Sequence, residues 1–286
     1  MRRDEEKKKE HLKAIVSQLI CQNQLIVDVV KETKSRRSGK FLVQITEDSN
    51  SHGSKENCHI FLGVGNFEKL YEICTSFSRA NSFLFNTSII MLTDGDLNIE
   101  NYDVKESFLD KIDFLNEDTF DAAGTLAING LTFALYHEFG HVKYDDDYEL
   151  QIEKERKADL FAMDVVKEMC SDCIPLDRNP IFLGAYLENI LMLSVCNLNE
   201  AEILFSHPHP IERIIILLEY FHIRESSYLW KYTYDELIKW INANNMSMIY
   251  ERDCSITIKD KLMDAFCRFN LKSADNFSSV RFSPCL

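Results

Sequence analysis

His137-Glu138-Phe139-Gly140-His141 closes a run from Ala122 to Tyr136 that holds no proline and is rich in Ala and Leu. Those residues favour helix, and a helix apolar on every side belongs in the middle of a domain. Residues four apart on a helix stand one above the other, so His137 and His141 aim two imidazoles at one point. Glu138 lies one step round the same turn. Two imidazole nitrogens so placed are a ligand pair for zinc, and a water in an open position would lie beside Glu138.

The pattern H-E-x-x-H is that of zinc-dependent peptidases, in which the glutamate is the general base. A catalytic zinc site needs a third protein ligand. The best candidate is Glu155, in Glu155-Arg156-Lys157-Ala158-Asp159-Leu160-Phe161-Ala162. Glu155 and Asp159 share one helical face with Ala158 and Ala162, which are small enough to let two helices approach. Glu155 can then reach the metal, and Asp159 can accept the N–H of a ligating histidine and fix its tautomer. Glu153 is the rival ligand, without an aspartate four residues on. The competing reading is a solvated, charged first turn, since Glu153, Lys154, Arg156 and Lys157 crowd the same place.

A third cluster is Ser206-His207-Pro208-His209-Pro210-Ile211-Glu212-Arg213-Ile214-Ile215. The prolines fix an extended lead into a helix. His207 or His209 could donate to a developing oxyanion, and Arg213 could hold a carboxylate or carbonyl. The alternative is a plain helix start with surface histidines.

In this order the three pieces resemble the Lit-like phage-exclusion peptidases and, more distantly, gluzincins related to the HtpX and CaaX-prenyl membrane proteases. The resemblance covers residues 10 to 220 in layout and is specific in the three motifs. It implies His137, His141 and Glu155 as zinc ligands, Glu138 as base, Asp159 behind a ligand, and His207 and Arg213 near the substrate. It also implies a zinc-dependent endopeptidase that cuts a cytosolic protein, with elongation factor Tu or another translation factor as substrate class. Phage defence by abortive infection, set off by a phage-encoded or other trigger, is the implied role. Two rival readings are a regulator of the ImmA/IrrE kind, which cuts a repressor, and a zinc-stabilised binding module without activity. The first carries Asn where Asp159 stands and lacks the Ser-His-Pro cluster; the second leaves Glu138 without a task.

Composition bounds the rest. The 286 residues are 45% hydrophobic and 27% charged, as in ordinary globular proteins. A net charge of −14 disfavours a nucleic-acid backbone as partner. No apolar run reaches the ~18–20 residues of a membrane span, and the charged start, Met1 to Glu10, does not read as a signal peptide. Nine cysteines, without a secretion signal, read as reduced thiols in the cytoplasm. Cys170 and Cys173 form one Cys-x-x-Cys with no second pair, which reads as chance rather than a further metal site.

The expected fold is α+β and zincin-like: a small N-terminal mixed sheet packed on a mostly helical C-terminal lobe, within one domain of two lobes, 1–121 and 122–286. Strands are expected at 24–31, 40–47 and 58–64, with a shorter one at 88–92. Helices are expected at 8–21, 67–84, 122–144, 151–170, 180–197, 210–223, 233–243 and 257–269. Residues 93–121 carry ten acids against two lysines and read as a solvated loop with a short helix, or as a lid or a dock for a basic partner. The tail after Lys272 is expected to be irregular.

Overall fold

The structure, a computed structural model, describes residues 42–46, 48–54, 59–63, 65–81, 122–144, 150–170, 174–196, 207–244 and 257–264. The expected helix 8–21, the strands 24–31 and 88–92, the acidic stretch 93–121, Cys173 and the tail lie outside these residues.

Three strands, β1 (Leu42–Thr46), β2 (His52–Ser54) and β3 (His59–Gly63), form a mixed sheet in the order β1-β3-β2. β1 runs parallel to β3, with Leu42 opposite His59, and β2 runs antiparallel, with His52 opposite Phe61. The two-residue period of β3 sends Ile60 and Leu62 into the core and leaves His59 and Phe61 on the outer face, where Phe61 stacks on His52. β2 has no apolar alternation, so its pattern carries no strand signal. A Cβ on Gly53 would meet the Glu138 carbonyl oxygen at 2.5 Å, so β2 can lie on the metal-motif helix only with glycine there.

The rest is helical: α1 (Phe67–Ala80), α2 (Ala122–Tyr144), α3 (Gln151–Met169), α4 (Pro180–Val195), α5 (Pro210–Tyr220) and α6 (Tyr228–Ala243), with a short helical stretch at 258–264. α2 is the axle. It packs on α4, α3 and α1 and carries β2 and β3, which is why it is apolar almost all round. The described architecture is α+β and mostly helical. None of the described helices is long and apolar enough to cross a membrane.

Three helix ends differ clearly from expectation. α1 closes at Ala80 rather than 84, where the Asn81 N–H reaches back to the Phe77 carbonyl. α5 stops at Tyr220 rather than near 223, because His222 takes a left-handed φ of 52° and ends the ladder. α6 starts five residues early, at Tyr228, where the Ser227 side chain accepts the Leu229 N–H. Its first turn carries the weaker helix formers Tyr228 and Trp230, a preference that the burial of Leu229 and Trp230 overrides.

α4 and α5 begin by one device, a capping side chain followed by proline at the first helical position. In α5 the cap is a histidine: His209 Nδ1 accepts the Ile211 N–H, and its ring meets Trp240 edge-on. Burial pushes the His209 pKa down to about 4. The unfolded chain binds a proton near pH 6.5 that the folded one refuses. Stability from this group is therefore complete above pH 6.5 and is lost as pH falls towards 4. Each pKa unit is worth about 1.4 kcal/mol, so on the order of 3 kcal/mol is at stake. Asn caps without titrating; denaturant titrations of His209→Asn should show a shallower loss of stability than wild type across pH 6.5 to 4.

Candidate metal centre

The site lies where the last turns of α2 meet the first turns of α3. His137 Nε2 and His141 Nε2 are 3.1 Å apart, with the rings edge-to-face. Glu155, from α3, places Oε2 at 3.2 Å from His137 Nε2 and Oε1 at 3.4 Å from His141 Nε2. The three side chains each offer one ligand atom, and these atoms lie within 4.8 Å of one another: a group that could hold a metal ion. Of the two candidate third ligands, Glu155 is in the group; Glu153 instead accepts from Arg156.

This approach depends on Gly140. A Cβ there would lie 2.6 Å from the Ala158 Cα, a backbone atom that cannot rotate away. The small residues of α3 therefore meet a glycine inside the five-residue motif, and the close crossing puts Glu155 under the two imidazoles. Gly140→Ala should force α2 and α3 apart and lower zinc affinity by about 10–100-fold, the scale seen when support of a ligand is lost. Competition with a chromogenic chelator measures this, and an unchanged affinity would show that the crossing does not set the site.

Behind His137, its Nδ1–H donates to Asp159 Oδ1 at 2.9 Å. Asp159 also accepts from the Arg213 guanidinium, whose Nη2 lies 3.5 Å from His137 Nδ1. Burial opposes the charge on His137, yet hydrogen bonds to Asp159 and Glu155 raise its pKa to about 9. Burial would also raise the Glu155 pKa, but its bonds to His137 and His141 hold it well below the usual carboxylate range. Asp159 is likewise lowered: burial would raise it, but the charges and hydrogen bonds of Arg213 and His137 together outweigh burial. Without a metal, a proton on His137 thus compensates the carboxylate, and metal uptake must release it.

Glu138 is 4% exposed. Its Oε2 is buried with no hydrogen-bond partner among the described residues, and burial raises its pKa. An orphaned carboxylate oxygen beside two imidazoles and a second carboxylate fits a site completed by a metal ion and water.

The third motif divides. His207 brings Nε2 to 3.4 Å from Glu155 Oε1, with its side chain 44% exposed. His209 turns into the core as the cap of α5. Arg213 points to the rear of His137, onto Asp159. Four contributors were not singled out from sequence. Gln151, one turn before Glu155, donates to its Oε1 at 2.8 Å. Arg156 and Glu212 form an ion pair between α3 and α5. Glu188 of α4 is buried enough to raise its pKa to about 7, against the opposing charges of Arg213 and His137. A lone acid inside the apolar run of α4 was the available signal for Glu188; the others carried none beyond ordinary surface polarity.

Residues 96–233, just under half of the chain, match the model of a family described as Peptidase U49. No curated protein and no solved structure matches. The matched span contains all three motifs and supports a peptidase.

Proposed function

We propose that this chain is a zinc-dependent endopeptidase acting on a protein in the cytoplasm. The observation that carries the reading is the convergence of His137, His141 and Glu155 beside a Glu138 carboxylate oxygen that has no partner among the described residues. His137, His141 and Glu155 would hold the ion, a set of two imidazoles and one carboxylate that leaves a position open. When bound, zinc supplies a Lewis acid and brings the pKa of water towards neutrality.

The chain's own residues do the rest. Glu138 accepts a proton from the attacking water as its oxygen bonds to the carbonyl carbon. It then hands that proton to the amine as the C–N bond breaks. His207 faces the substrate side of Glu155 and donates to the carbonyl oxygen as charge builds there. Asp159 fixes the His137 ring, and Arg213 neutralises Asp159. β2 pairs with β3 on one side only, among the described strands, so its other edge can accept an extended peptide by main-chain hydrogen bonds.

The motif set, like that of Lit-like peptidases, favours elongation factor Tu or another translation factor as substrate. Phage exclusion, switched on by a phage-encoded or other trigger, is the role that goes with it. Purified protein should carry about one zinc per chain, the stoichiometry of a single three-ligand site. His141→Ala should carry none. Wild type and Glu138→Gln, expressed in bacterial cells with and without phage, should differ in new protein termini read by mass spectrometry. A cut in a translation factor supports the role, and a cut repressor replaces it with a regulatory one. A metal-free preparation with full activity would overturn the metallopeptidase reading.

A further inference from the structure

α3 carries the ligand Glu155 and α5 follows His207, and the two helices first meet at the His207 end of α5. Two ion pairs tie them there, running in opposite senses. The inner pair is Asp159 of α3 with Arg213 of α5. The outer pair is Arg156 of α3 with Glu212 of α5: Nη2 donates to Glu212 Oε1 at 2.8 Å while Nη1 donates to Glu153 Oε1 at 2.6 Å. Arg156 is adjacent to Glu155 in the chain, and Glu212 is five residues beyond His207.

The link from Glu212 back to His207 is stiff. Pro208, His209 and Pro210 are buried. Each proline fixes its own φ and restricts the residue before it. His209 locks the corner by capping Ile211 and packing on Trp240. Those contacts fix the corner to α6 and say nothing of its distance from α3. Among the side-chain contacts described between α3 and α5, the two ion pairs lie at the His207 end; the others, Tyr220 donating to Asp164 and Lys167 over the Tyr220 ring, lie at the far end of α5. The inner pair already serves His137, which leaves the outer one to set where His207 stands.

We propose that Arg156 and Glu212 form a positioning latch that holds His207 over Glu155 and so over the reacting carbonyl. The inference rests on the substrate-facing reading of His207. Arg156 is one-third exposed and the pair bridges two motifs at their outer edge, so its loss should leave the fold intact while the corner drifts. A drift on the order of 1 Å at a group that must meet a reacting atom costs up to ~10²-fold in rate.

Charge exchange tests it: Arg156→Glu, Glu212→Arg, the double variant and His207→Ala. Histidine-labelled, zinc-loaded proteins are compared by ring nitrogen–proton spectra, with His207 assigned from its absence in His207→Ala. This readout needs no substrate. In wild type and the double variant, zinc loading should shift the His207 resonance. In each single variant it should stay at the position of a solvated imidazole, at unchanged zinc content. The yield of wild-type-dependent new termini in phage-infected bacterial cells should fall by about 10–100-fold in each single variant and recover in the double one. Single variants with wild-type spectra and yields would overturn the latch while leaving the role of His207 intact. Loss of zinc that the double variant does not restore would overturn it too, by showing that the pair serves the metal ligands. If His207→Ala itself cleaves at the wild-type rate, the substrate-facing reading falls and the latch with it.

Discussion

Glu138→Gln should leave zinc content and fold unchanged and lower turnover by about 10²–10⁴-fold, the range for a positioned general base. On the barrier that is roughly 3–5 kcal/mol, at about 1.4 kcal/mol per factor of ten. The substitution keeps the side chain's shape, so with zinc content and fold unchanged the rate loss is assigned to the missing base. Glutamine still offers an oxygen to a water but cannot take its proton. A second effect has the opposite sign. Burial raises the Glu138 pKa above its ordinary value. The unfolded chain therefore loses this proton first, and the folded state of the metal-free protein loses stability as pH rises through that window. Glu138→Gln removes the buried charge, so the metal-free variant should melt at or above the wild-type temperature near pH 7. A variant that is more stable, zinc-loaded and inactive is the signature of a base kept buried at a cost in stability. Wild-type turnover in Glu138→Gln would dismiss Glu138 as the base.

The metal half of this site was legible because helix geometry converts spacing into direction. His137 and His141 four apart, and Glu155 and Asp159 four apart, each had to share a face, and the small residues between them announced a close crossing. The sequence could not say that Gly140 and Ala158 would be the contact, because either helix could slide by a turn and keep its pattern. The third motif was only half legible. Two histidines two residues apart follow no helical rule, since the prolines keep this stretch extended, and which one reaches Glu155 depends on the turn of a single corner. Burial chose His209 for the cap and left His207 at the site. β2 was illegible for a plainer reason: His-Gly-Ser is a strand through what it lies on, and Glu138, against which Gly53 packs, is 85 residues further along the chain. Ion pairs between separate helices, such as Arg156 with Glu212, leave no periodicity to find.

Arg213→Met is expected to give the largest loss of stability in the molecule. Both the Arg213 and the Asp159 side chains are less than 10% exposed. Methionine fills similar volume but leaves Asp159 with His137 as the one described partner for its charge. Breaking a buried pair from one side costs roughly 3–5 kcal/mol, because the remaining charge stays out of water. At roughly 2–4 °C per kcal/mol for a chain of this order, metal-free protein should melt on the order of 10 °C lower. Zinc dissociation should rise by about 10–100-fold, since Asp159 no longer holds the His137 ring firmly. The sequence resemblance put Arg213 near the substrate, and these two readouts separate the roles. A substrate group would leave melting and zinc affinity alone and lower turnover of the loaded enzyme; a brace would move the first two and spare turnover per zinc-loaded molecule. The double variant Arg213→Met/Asp159→Asn supplies the control. With the acid neutralised there is no buried charge to strand, so the double variant should be more stable than Arg213→Met alone, a coupling of neighbours that independent sites do not show. Additive losses in the double variant would mean that Arg213 and Asp159 act separately, and the support behind His137 would have to be sought elsewhere.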